Sequence, residues 1–408
     1  MTAGYFDHNA TTPVLPQVLE AMRPYFTEAF GNPSTAYRRG REALAAIQKA
    51  RQSVAKLLGC RDSEVVFTAG GSEGDNHAIR GIVADGDHII TSVIEHSAVE
   101  QVCRYLEQNG CQVTRVPVNG QGQVDPEAVR RALRPNTRLI TIMMANNETG
   151  VLQPVEEIGQ IAAEADVWFH IDAVQAAGKV PVAAERLRCD LLAISGHKIY
   201  APQGVGALYV RRGTPLKPFI RGGSQEQGRR AGTENVPGIV GLGVASEMAL
   251  AGLEDGTVDR IRGWRDRFEN SLLVSIDNVT IHAAGAPRVA NTSSVYFEYL
   301  RGEALAVALD LQGISVSSGS ACHAGSQEPS RVLLAMGLTP EQAHGTLRFS
   351  LGKTNQAEDI DHLLSVLPAA VQRLRDLSPV YPGHGEDRLR GRFTSRSYGR
   401  GPGGSTGL

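Results

Sequence analysis

The sequence predicts an α/β fold: a mostly parallel sheet covered by helices, followed by a smaller α+β domain. Three observations predict it. Between about residues 60 and 210, short β-branched runs alternate with amphipathic stretches, and such alternation builds a parallel sheet with helices on both faces. Polar clusters ("GGSE", "EHS", "NNETG", "DAVQ", "SGHK") directly follow the apolar runs, where ligands of an open α/β sheet bind beyond the strand ends. The chain has 408 residues, too many for one compact core.

The strands are justified in order. "EVVFTAG" (64–70), "DHIITSVI" (87–94), "CQVTRVPV" (111–118), "TRLITIMMA" (137–145), "DVWFHID" (166–172), "DLLAISG" (190–196) and "GALYVRR" (206–212) are short, β-branched and bounded by turn residues. Stretches 97–109, 125–133 and 154–165 carry apolar residues at helical spacing. After "RRAGTEN" (229–235) the pattern is helical over roughly 237–275. A second α+β segment follows: strand 291–299, helix 302–312, strand 314–317, a loop, helix 329–336, strand 345–352 and helix 356–376. The expected division is 1–15 as an N-terminal segment joining the small domain, 16–258 as the large domain, 259–378 as the small domain, and 379–408 as a disordered tail rich in Gly, Arg and Ser.

Composition narrows the function. With 42% hydrophobic and 21% charged residues the chain is ordinary for a globular protein. A net charge of −2 with interspersed signs argues against nucleic acid as the main partner. From residue 384 the tail holds five Arg against one Asp and one Glu, a weak electrostatic footprint. The start, "MTAGYFDHNATTP", does not read as a signal peptide, and no stretch reaches the roughly 20 apolar residues that span a bilayer. The five scattered cysteines form no CxxC pair and point to a reducing cytoplasm.

Several residues at strand ends carry chemistry. Lys198 follows "AISGH", where partial burial would lower an amine's pKa and free its lone pair for a Schiff base. Asp172 ends the preceding strand, with Gln175 three residues on; a buried carboxylate is what a pyridinium nitrogen needs. Gly70, Gly71 and Ser72 open a helix whose N–H groups can approach a phosphate. His96 and Asn147 also follow strands. Singly, each has a plain alternative: a solvated lysine, a capping aspartate, a turn glycine or asparagine, a structural histidine. Together on one rim they form a kit for pyridoxal phosphate.

With "YFDHNATTPV" (5–14), "FGNPST" (30–35), "FTAGGSEGDN", "NNETGVLQP", "HIDAVQAAGK", "SGHKIYAPQGVGALYVRR", "GGSQEQGRRAGTEN", "SSGSACHAGSQEPS" and "LRFSLG" in order, the sequence resembles the class V, fold type I pyridoxal-phosphate enzymes. Within them it is similar to the cysteine desulfurases of the NifS/IscS kind, up to about residue 376. The resemblance implies that Lys198 holds the cofactor covalently and moves protons, that His96 stacks on the ring and assists proton transfers, and that Asp172 pairs with the ring nitrogen. Gln175 would hydrogen-bond the ring oxygen. Gly71, Ser72, Ser195 and His197 would hold the phosphate, with Thr233 reaching in from a second subunit of a homodimer. Asn147 and Arg348 would grip the carboxylate of L-cysteine, Arg348 by two-point contact. Cys322, alone on a Gly/Ser segment, would take the sulfur as a persulfide, since thiolate attack needs ionisation and access; the other cysteines read as small buried hydrophobes. The product would be L-alanine, and the sulfur would pass to an acceptor such as an iron–sulfur scaffold, or to a thiolation or cofactor pathway. No intrinsic metal site is expected, although Cys322 could transiently ligate a cluster with such a scaffold. A selenocysteine lyase, another enzyme of this class and a non-catalytic sulfur-transfer scaffold are the alternatives. The sequence departs from the family at Tyr37, commonly His, at "AGGSEG", and in its final segment.

Overall fold

A computed structural model describes residues 4–318, 328–379 and 381–382. Its centre is a seven-stranded sheet in the spatial order Val65–Thr68, Gly206–Val210, Leu191–Ser195, Trp168–Asp172, Thr137–Met143, His88–Ser92 and Gln112–Val116. Neighbours are parallel except at Gly206–Val210, which runs antiparallel to both of its partners. Alternate residues bury opposite faces, as the pleat requires. Leu192 and Ile194 join one apolar cluster with the helices Arg38–Leu58, Val155–Glu164 and Val236–Gly252. Leu191 and Ala193 join another with the helices Gly71–Ile82 and Ser97–Gln108. Helices Arg38–Leu58 and Val236–Gly252 approach closely because Gly243 has no side chain; a Cβ there would sit 2.7 Å from Ala50.

A second, antiparallel sheet orders Ser317–Ser318, Thr346–Ser350, Thr292–Phe297 and Val279–Ile281. Helices Thr257–Ser275, Gly302–Asp310 and Ala357–Leu377 cover it around Phe268, Phe297 and Phe349. The Phe268 and Phe349 ring centroids lie 4.7 Å apart. The N-terminal stretch belongs to both bodies. Gly4–Tyr5 pairs in parallel with Ile314–Ser315, Phe6 enters the second cluster, and Thr12 N–H donates to His197 O at 2.9 Å.

Several features differ from the sequence reading. The helical run 237–275 is two helices bent by 70°. The chain bends at Gly256, whose φ of 83° suits glycine, and the Asp255 carboxylate caps Thr257 N–H at 2.9 Å. The short strand Val279–Ile281 and helix Pro340–His344 were not anticipated, being too brief to show a period. Among the described residues no single helix is long and apolar enough to cross a membrane.

Candidate active site

A cavity of about 290 Å³ opens at the carboxyl ends of the central strands. It is lined by Gly71, Ser72, His96, Asn147, Asp172, Gln175, Ser195, His197, Lys198 and Arg348. Arg348 comes from Thr346–Ser350 of the second sheet, so the cavity lies between the two bodies. Two predicted residues are not among its walls. Thr233 is exposed and lines no part of this cavity. Cys322 lies outside the described residues.

Each wall follows from local structure. Helix Gly71–Ile82 has no side-chain cap, so its first N–H groups stay available to an anion. Gly70 has φ +151°, and a Cβ on Gly71 would lie 2.6 Å from Val174 Cγ2; only glycine leaves this cradle intact. Glu73 anchors the turn, accepting from Ala69 N–H at 2.8 Å and from Arg230 Nε at 2.9 Å. His96 caps helix Ser97–Gln108, its Nδ1 accepting from Ala98 N–H at 3.1 Å. The neutral ring therefore carries its proton on Nε2.

Asp172 is 5% exposed, with one oxygen accepting from Val174 N–H at 2.9 Å. Burial pushes its carboxyl above the ordinary range, opposed by His96, the Val174 N–H and Lys198. A cationic ring nitrogen beside it would complete that opposition. Lys198 leaves the strand Leu191–Ser195 on a single 3-10 turn, and its Nζ donates to Asn9 O and Ala10 O at 2.7 and 2.6 Å. Arg348 is 2% exposed. Its Nη1 donates to Asn147 O at 3.0 Å, its Nη2 donates to Asp7 Oδ1 at 2.6 Å, and its buried Nε has no protein partner. Arg348 lines the cavity, and a guanidinium there suits an incoming carboxylate.

The donor set fits pyridoxal phosphate: an uncapped helix mouth, a buried carboxylate, a fixed imidazole and a strand-end amine. Sequence reasoning missed several groups. Asn9, Ala10 and Asp75 also line the cavity. "HNATTP" lies among the quoted stretches, yet the strand before it, Gly4–Tyr5, is two residues long and too short to signal a ligand position in sequence. Asp75 sits on the inner face of its helix, 3.5 Å from His170 Nε2, and looks like any helical acid in sequence. The remaining thiols are poor nucleophiles: burial pushes Cys60 and Cys103 up to about 12.

This rim, on this sheet, places the protein among the pyridoxal-phosphate-dependent enzymes of α/β build. The chain belongs to the aminotransferase class-V family, whose model matches residues 4–363. It is 49% identical over 384 residues to the cysteine desulfurase IscS of Methanosarcina thermophila, covering 93% of this chain and 95% of the relative. It is 46% identical over 379 residues to that of Dictyoglomus turgidum, covering 92% and 96%. A solved NifS-like protein superposes with a TM-score of 0.85 at 37% identity, covering 91% of this chain and all of the other (100%). SspA solved in complex with cysteine gives 0.76 at 39% identity, covering 85% and 98%.

Proposed function

We propose that this protein is a cysteine desulfurase that moves the sulfur of L-cysteine onto Cys322 and releases L-alanine. The observation that carries the reading is the convergence of Lys198, Asp172, His96 and Arg348 on one cavity. The names of the curated relatives support it.

Gly71, Ser72, Ser195 and His197 would hold the cofactor phosphate, His96 would cover the ring, Asp172 would pair with its nitrogen and Gln175 would face its oxygen. Bound there, pyridoxal phosphate supplies an electron sink for the substrate carbons. Arg348, with Asn147, binds and orients the substrate carboxylate. Lys198 Nζ takes the proton from the substrate α-carbon and returns protons as alanine leaves. The Cys322 thiolate attacks the substrate sulfur: the S–S bond forms as the C–S bond breaks, and the bonding pair stays on the carbon fragment, which a proton then quenches. Ser317 pairs with Arg348 in the second sheet, so the segment bearing Cys322 departs next to the strand that holds the carboxylate anchor.

The same reading makes the protein a homodimer of the cytoplasm. Phe26, Phe30 and Tyr37 are 61%, 58% and 58% exposed, and Thr233 would complete the partner's phosphate site. It assigns residues 16–258 to the cofactor domain and 259–378, joined by 1–15, to the smaller one. An iron–sulfur scaffold is the acceptor that a cysteine on a long segment suits, through a protein–protein handover of the persulfide.

Product analysis tests the reading. Purified protein with L-cysteine, pyridoxal phosphate and a reductant should yield alanine and sulfide in equal amounts, and Cys322→Ser almost none. A cofactor-loaded protein that makes no alanine overturns it.

A further inference from the structure

Gln175 lines the cavity at 6% exposure, and a side-chain amide can present either of two opposite faces to a ligand. Its oxygen accepts; its nitrogen donates twice. A ring oxygen carrying negative charge rewards the nitrogen face and repels the oxygen face. Something must choose between them, because the terminal amide torsion is broad and roughly two-fold.

We propose that Lys179 makes that choice: it is a positioning residue that fixes the Gln175 amide so that an N–H is turned toward the cofactor's ring oxygen. The inference rests on the role given to Gln175 above. Lys179 Nζ donates to Gln175 Oε1 at 2.6 Å and to Asn9 Oδ1 at 3.0 Å. At the other end of the same amide, Gln175 Nε2 donates to the main-chain oxygen of Asn9 at 2.9 Å. An amine offers Lys179's neighbours N–H groups, and a main-chain carbonyl can only accept. Both ends of the amide are therefore specified, and the second N–H of Nε2 remains for the ligand.

The lock is itself held. Asn9 Oδ1 also accepts from Asn291 Nδ2 at 3.0 Å, while Asn9 Nδ2 donates to Thr292 Oγ1 at 2.8 Å and to Asn147 O at 3.1 Å. The Asn9 amide thus cannot turn without breaking several bonds. Lys179 lies behind this layer, on a small cavity shared with His8, Lys198 and Tyr200, and reaches the cofactor site through Gln175 and Asn9. Among the described residues its amine meets no carboxylate. Burial holds it well below the usual lysine range, with Lys198 and Arg348 adding to the effect. Nζ donates to both oxygens in either protonation state, so the lock works through hydrogen-bond polarity.

The cofactor–lysine linkage reports on this donor through its visible absorption. An N–H at the ring oxygen favours the form that has lost the linkage proton, because the oxygen's charge is then least neutralised. In Lys179→Met the amide loses one of its two fixed partners, and the pH midpoint of the absorption change should rise by about half a unit or more. Lys179→Arg, which keeps a donor, should return it toward the wild-type value, with melting temperature not following the same order. Lys179→Ala replaces the Met variant if that one fails to retain cofactor. Gln175→Ala is the reference. A midpoint that moves in Gln175→Ala but not in the Lys179 variants overturns the lock and leaves the Gln175 assignment standing. A midpoint unmoved in all of them overturns both.

Discussion

Arg348 is committed to Asp7 and to Asn147 O before any substrate arrives. Asp7 holds one arm of the guanidinium, which leaves Nε as the donor with no protein partner. Substituting Arg348→Lys removes the fork that matches a carboxylate, and KM for L-cysteine should rise at least about tenfold, a loss of roughly 1.4 kcal/mol, with a smaller change in kcat by steady-state kinetics. Asp7→Asn should raise KM in the same direction by a few-fold, since a neutral partner orients the fork less firmly. Gly71→Ala should weaken cofactor retention, because its Cβ would fall 2.6 Å from Val174 Cγ2; equilibrium dialysis against pyridoxal phosphate measures it. Arg348 was legible through "LRFS" and the resemblance. Asp7 was not, because it stands 341 residues away and only the fold brings the pair together.

At the scale of elements, the turn after His88–Ser92 shows how the sheet carries the site. Glu95 is 5% exposed, and its carboxylate accepts from Met143 N–H at 3.1 and 3.0 Å and from the Ser92 hydroxyl, tying the His96 turn to the neighbouring strand. Burial pushes Glu95 up to about 8. A carboxyl raised on folding adds stability that is complete below about pH 4.3, its ordinary value, and is lost as pH rises through about 8. Glu95→Gln should therefore flatten the decline of unfolding free energy across that window, with a gain on the order of a few kcal/mol at pH 9, measured by denaturant unfolding of the cofactor-free protein. The central strands were readable because runs buried on both faces are continuously apolar, and Leu191–Ser195 is buried at all of its positions. The helix break at Gly256 was not, since a glycine within a helical pattern is compatible with continuing it or ending it.

For the whole molecule, the proposed homodimer is what gives Thr233 a place in a working site. Thr233 is exposed and absent from the walls of its own chain's cavity, while Arg230 nearby is bound to Glu73 and ties the segment to the first turn of helix Gly71–Ile82. Thr233→Ala should lower cofactor affinity without changing the sedimentation of the dimer. Dilution below the dimer dissociation constant should lower it in the wild type as well. A fully loaded, active monomer by sedimentation would sink the shared site. The parallel pairing of Gly4–Tyr5 with Ile314–Ser315, and the contact of Asn9 N–H with Ser350 Oγ at 2.9 Å, have one more consequence. The ribosome makes Gly4–Asn9 before the whole central sheet and Ile314–Ser350 after it, and domains otherwise settle as they appear. The carbonyls that hold the Lys198 amine cannot be anchored in place until then. A nascent chain thus makes its large sheet before its pocket can be finished, and products truncated before Ser350 cannot present a complete one.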